Sequence, residues 1–188
     1  MRSRTENFLP GFKELGVRRF GGALLKGNPR SARPLSTKRP LHLVMRSSMA
    51  VGKRSLLQPD RAGRVEKMVH RLGKHQGVKI LRFANGGNHL HLLVRPRSRK
   101  AFHSFVRALS GVAARLSLER ERGKAATKKS KNSYRSPEDF WDARPFTRII
   151  DWGHGYNIIA RTLENGTRGK GLRDLHDFWP RTLKESTA

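Results

Sequence analysis

No cysteine occurs among the 188 residues, so neither a disulfide nor a thiolate metal site can staple the fold. Acidic side chains are scarce too: 14 stand against 41 lysines and arginines, a formal net charge of +27. Solubility needs far less, and a field of that sign calls for a polyanionic partner, nucleic acid or an anionic membrane surface. The membrane is the poorer match. No apolar run approaches the roughly 18 residues of a spanning helix, and no segment has the layout of a signal peptide, so the expected compartment is the cytoplasm. Also missing are a Walker loop, a G-x-S-x-G elbow and an H-E-x-x-H pair, which removes the usual routes to nucleotide hydrolysis, serine acyl transfer and zinc proteolysis. Tyrosine is represented only by Tyr134 and Tyr156.

The stretch that is present and most informative is Asn88-His89-Leu90-His91-Leu92-Leu93-Val94. Its period of two predicts a strand with Leu90, Leu92 and Val94 on one face and His89, His91 and Leu93 on the other. Residues two apart on a strand lie roughly 6.5–7 Å apart, close enough for both imidazoles to reach one ion. Two imidazoles leave the ion in need of a third donor, and they suit manganese or zinc better than magnesium.

Along the chain, Met1 to Pro40 holds ten basic and two acidic residues with scattered glycines and no period, and is expected to be a basic arm over residues 1–32. Pro40 to Arg46 predicts a first strand. Val65, Met68, Val69 and Leu72 fall at helical spacing between Pro59 and His75, with Gly77 marking the end. Val78 to Ala84 predicts a second strand, and Asn85-Gly86-Gly87 a hairpin turn into the histidine strand. Ala101, Phe102, Phe105, Val106, Leu109, Val112, Ala113 and Leu116 then form a long amphipathic helical stripe. Residues 119–137 read as a flexible basic loop. Pro145 to Ile150 is a further strand, Trp152 to Asn165 a short helix closed by Gly166, and 167–188 a polar tail. Strand, helix, hairpin, helix, strand predicts an α+β, ferredoxin-like split β-α-β domain over residues 33–166. Its sheet would be antiparallel, with helices on one face and the histidines on the open one.

A metal beside a basic groove would most usefully polarise a phosphate, leaving a hydroxyl or water to attack it. Tyr134 falls in the basic loop, where stacking or solvent exposure is the simpler role. Tyr156 begins the last helix, a better place for a group that must be aimed. The cations expected to meet the strand are Arg18 and Arg19 in the arm, Lys38, Arg39, Arg46, Arg82 and Arg148 around the sheet, and Lys128, Lys129 and Lys131 in the loop.

Three segments resemble the single-tyrosine HUH transposases of small bacterial insertion sequences, in the branch related to transposases of repetitive extragenic palindromes. They are Arg33-Pro34-Leu35-Ser36-Thr37-Lys38-Arg39-Pro40-Leu41-His42-Leu43-Val44, Gly87-Asn88-His89-Leu90-His91-Leu92-Leu93-Val94 and Trp141-Asp142-Ala143-Arg144-Pro145-Phe146-Thr147-Arg148. The resemblance implies cutting and rejoining of single-stranded DNA at hairpins in a bacterial cytoplasm, with magnesium or manganese and a second copy of the chain as a partner. It implies Tyr156 as nucleophile through a 5′-phosphotyrosine, and His89, His91 and Asn165 as metal ligands. One departure stands out. Family members place the tyrosine four residues before an Asn or Gln, whereas here Tyr156 is followed at that spacing by Ala160, and Asn165 is preceded by Arg161. A non-catalytic DNA-binding relative is therefore the rival expectation. A ribosome-associated basic protein would explain the charge but not the histidine strand.

Overall fold

The computed structural model describes residues 19–22, 32–122 and 140–167. Arg18, Lys128, Lys129, Lys131 and Tyr134 fall outside the described residues. In chain order the elements are β1 (Arg19–Phe20), β2 (Leu41–Arg46), α1 (Pro59–Gln76), β3 (Val78–Asn85), β4 (His89–Pro96), α2 (Arg99–Arg122), β5 (Phe146–Ile149) and α3 (His154–Thr167), with a short 3-10 turn at Gly52–Arg54. The five strands form one sheet in the order β1-β5-β2-β4-β3, every pairing antiparallel. Without β1 this is the strand order of a split β-α-β domain, and the α+β expectation holds.

Alternation divides the sheet cleanly. Leu41, Leu43 and Met45 of β2 and Leu90, Leu92 and Val94 of β4 point into one core with Val65, Met68 and Val69 of α1 and Phe102, Phe105 and Leu109 of α2. Pro59 at the first turn of α1 and Gly77 at its end fix that helix where the sequence places it. The second face is not left bare. Helix α3 lies on it, burying Ile159, Ala160 and Leu163 against Ala84, Leu93 and Ile150. The expectation of helices on one face therefore describes α1 and α2 only. The apolar side of α3 was legible, but not the side of the sheet that would receive it. A hydrogen bond from Arg82 Nε to Glu164 Oε1, 2.6 Å, ties α3 to β3 at the rim.

Other boundaries move for local reasons. Arg19 and Phe20 leave the presumed arm and pair with Arg148 and Thr147 as an edge strand. Two residues are too few to show a period, so β1 was invisible in the sequence. Its anchor is Arg33, whose guanidinium donates to Pro145 O (2.7 Å) and Thr147 Oγ1 (2.8 Å) and lies 4.5 Å over the Phe20 ring. Burial, with Arg144 adding to it, lowers the Arg33 pKa to about 10, which still leaves it charged at neutral pH. Helix α2 runs through Arg122, taking the first residues of the expected 119–137 loop, and α3 continues past Gly166. In β3 the register slips between Ile80 and Arg82, a bulge that breaks the regular ladder of the outer strand.

Candidate metal and nucleic-acid site

The β3–β4 turn brings the histidine strand into register. Gly86 N donates to His89 O (2.9 Å), so the chain reverses at Gly87-Asn88, one residue later than the sequence suggests. Asn85 locks this turn from below: its Oδ1 accepts from Gly87 N (2.9 Å) and its Nδ2 donates to Leu56 O (2.8 Å). Leu56 N in turn donates to Gly87 O (2.9 Å). The loop that carries Leu56 is itself pinned by the buried Arg61, whose Nη1 donates to Lys53 O and Ser55 O. Gly86 has a steric purpose as well, because a Cβ there would run into the imidazole of His89.

On the second face, β4 presents His89, His91 and Leu93. The β2–β4 register sets Arg46 beside His89, Val44 beside His91 and His42 beside Leu93. Next along, β5 sets Arg148 beside His42, and β1 sets Arg19 beside Arg148. Three histidines and three arginines thus share one sheet face. His42 shares this face with His89 and His91, and sequence reasoning passed over it. Its signal was present in Leu41-His42-Leu43, the same alternation as in the histidine strand, but only strand pairing shows that the two strands share a face.

His91 is buried, and its Nδ1 lies 3.1 Å from His42 Nε2, with the two rings stacked at 5.3 Å between centroids. His89 lies edge-on to His91 at 4.9 Å and 88°, and its Nδ1 is 2.6 Å from Asn88 Oδ1. Burial first, and Arg148 second, push the His42 pKa down to about 4, so this imidazole is neutral at pH 7. The arrangement suits a metal ion in one respect. The Nδ1 of His89 meets Asn88 and that of His91 meets His42, which restrains ring orientation, the usual second-layer support of a ligating histidine. In another respect it is incomplete, because among the described residues no three His, Asp or Glu side chains group as a metal site. Asn165 is exposed near the end of α3.

The remaining expected residues scatter. Arg46 Nε lies 3.6 Å from Asp142 Oδ2, and the same carboxylate takes the N–H of Ser48 (2.6 Å), closing the turn after β2. Arg39 pairs with Asp151 at 3.0 Å, both largely in solvent, and Lys38 is exposed. Arg82 is engaged by Glu164. Tyr156 packs on the cluster of Ala84, Leu93, Ile150 and Leu163, its ring 5.1 Å from that of Trp152. Tyr156 and Asn165 are nine residues apart on α3, two and a half turns, so they leave the helix on opposite sides.

Residues 37–146 match the family model described as IS200-like transposase, well over half of the chain. The chain belongs to the IS200-like transposase family. A similar solved structure is a candidate transposase from Deinococcus radiodurans R1, 16% identical, with a TM-score of 0.43, covering 76% of this chain and 98% of that one. No curated protein matches the sequence. No helix among the described residues is long and apolar enough to cross a membrane.

Proposed function

We propose that this transposase cuts and rejoins single-stranded DNA at hairpins through a tyrosine nucleophile and a divalent ion, manganese or magnesium, as in the branch related to repetitive extragenic palindromes. The observation that carries the reading is the shared sheet face: His89 and His91 oriented by Asn88 and His42, flanked by Arg46, Arg148 and Arg19. His89 and His91 would hold the ion, which when bound would polarise a scissile phosphate and balance its charge. The arginines would hold the strand by its phosphates, with little regard for sequence.

Tyr156 supplies the nucleophile in this reading. Its phenol attacks the phosphorus, the 3′ oxygen leaves with a proton, and the strand stays joined to the protein as a 5′-phosphotyrosine. A phenol is a weak nucleophile until its proton is taken up as it attacks. Tyr156 starts α3 on the histidine side of the sheet, packed on the cluster that includes Leu93, two residues along β4 from His91. Asn165 is exposed and leaves α3 on the side opposite Tyr156, so the two do not converge on one site from a single helix.

The packing of Tyr156 on Trp152 and the Leu93 cluster favours a second reading, a DNA-binding relative that no longer cuts. Incubation with labelled hairpin DNA and Mn²⁺, followed by a denaturing gel, separates the two. An adduct that Tyr156→Phe abolishes and Tyr134→Phe preserves is the expected result. An adduct that survives Tyr156→Phe removes the assignment, and hairpin binding without any adduct in wild type makes the second reading the correct one.

A further inference from the structure

Among the described residues, the large apolar side chains that remain exposed are the aliphatic Val51, Leu57 and Ile158 and the aromatic Trp152. Its exposure is 48%, yet the side chain is held. The indole Nε1 donates to Lys38 O at 3.0 Å, and the Tyr156 ring backs it at 5.1 Å with an interplanar angle of 47°. Nothing crowds the turn beside it, since a Cβ at Gly153 would meet open space. Two cations lie beside it: Lys38 is exposed, and Arg39 pairs with Asp151 at 3.0 Å.

An indole left half in water gives up a large part of the stabilisation that burial would bring. One that is also pinned at its N–H has already lost the freedom that a ligand would otherwise have to remove. A flat, fixed aromatic surface among phosphate-binding cations is the arrangement on which unpaired bases stack in single-strand binding proteins. Its location is suitable too. Lys38 precedes His42 by four residues, so the indole is anchored within about 13 Å of chain from the histidine row, at the end opposite Arg46 and His89.

We propose that Trp152 is a stacking platform for one unpaired base of the DNA strand that crosses the histidine face, with Lys38 and Arg39 meeting the adjoining phosphates. The proposal rests on the single-strand reading above but not on its chemistry, and binding can be measured without metal. The probes are a short oligodeoxythymidylate, the same strand with one abasic site moved along it, and a duplex of equal length. Trp152→Leu keeps bulk and apolar character but removes the π face, and Trp152→Phe keeps a ring.

Loss of one stacked base should weaken single-strand binding by about 5- to 100-fold in Trp152→Leu, leave duplex binding nearly unchanged and be largely restored in Trp152→Phe. In wild type, one abasic position should weaken binding, and that position should cost nothing further in Trp152→Leu. The scan on wild type alone reads the contact should the leucine variant lose its fold. Equal binding of the single strand by Trp152→Leu and wild type overturns the proposal. So does equal weakening of single strand and duplex, or an abasic scan with no sensitive position. A fall in the sedimentation coefficient of DNA-free protein on Trp152→Leu overturns it as well, assigning the patch to contact between copies. Failure to cut DNA would count against the transposition chemistry and leave this proposal standing.

Discussion

At the scale of single residues, His42 is a buried imidazole whose Nε2 lies 3.1 Å from Nδ1 of His91, one of the two proposed metal ligands. It fixes the Nδ1 side of His91, so its removal should cost Mn²⁺ affinity without removing a ligand. We expect His42→Ala to weaken Mn²⁺ binding by about 10- to 100-fold with the far-ultraviolet circular dichroism unchanged, measured by calorimetry; unchanged affinity would show that His91 needs no such support. The same residue makes metal-free stability depend on pH. His42 has a pKa of about 4 when folded and an ordinary value near 6.5 when unfolded, so between these values the unfolded chain binds the extra proton. Its contribution is intact above pH 6.5 and is lost as pH falls toward 4, on the order of 3 kcal/mol in all. Melting temperature should therefore decline across that window in wild type and decline less in His42→Phe. His89 and His91 were legible because their strand alternates. The nine-residue spacing of Tyr156 and Asn165 puts them on opposite sides of α3.

Elements were legible in proportion to their length. Helices α1 and α2 and strands β2, β3 and β4 carry several periods each, and their bounds fall within a few residues of what the pattern predicts. The two-residue β1 depends on contacts far along the chain, which no local pattern encodes. It is secured at Gly21, whose φ of +85° is a left-handed conformation and whose missing Cβ leaves room for the Pro145 carbonyl. Gly21→Ala should therefore destabilise the protein by about 1–3 kcal/mol, read as a lower urea midpoint, by releasing β1 from β5. If the midpoint holds, β1 contributes nothing to the fold. The side of the sheet taken by α3 was likewise set by distant partners, Leu93 and Ala84, and not by the helix's own stripe.

For the whole molecule, the excess of positive charge bears on how DNA would be held. The composition reported the excess of cations, but the register shows that Arg19, Arg46 and Arg148 line up across adjacent strands beside the histidines. Each phosphate contact with a single strand contributes about 0.7 to the slope of log affinity against log salt. Replacing all three arginines by glutamine should flatten that slope by about 2, in a fluorescence titration across salt concentrations. An unchanged slope would move the DNA off this face and onto the helical side or the basic segments outside the described residues.

The bulge between Ile80 and Arg82 has a different kind of consequence. Among the described residues, strand β3 is a border of the sheet, eight residues long and paired with β4 on one side. A straight border of that length is an invitation for another chain to zip on and seed insoluble fibres. The slipped register interrupts the ladder, and the exposed Lys79 beside it adds a positive charge that two such borders would have to bring face to face. The border is thereby made a poor template, and association between copies is steered away from continuous strand pairing.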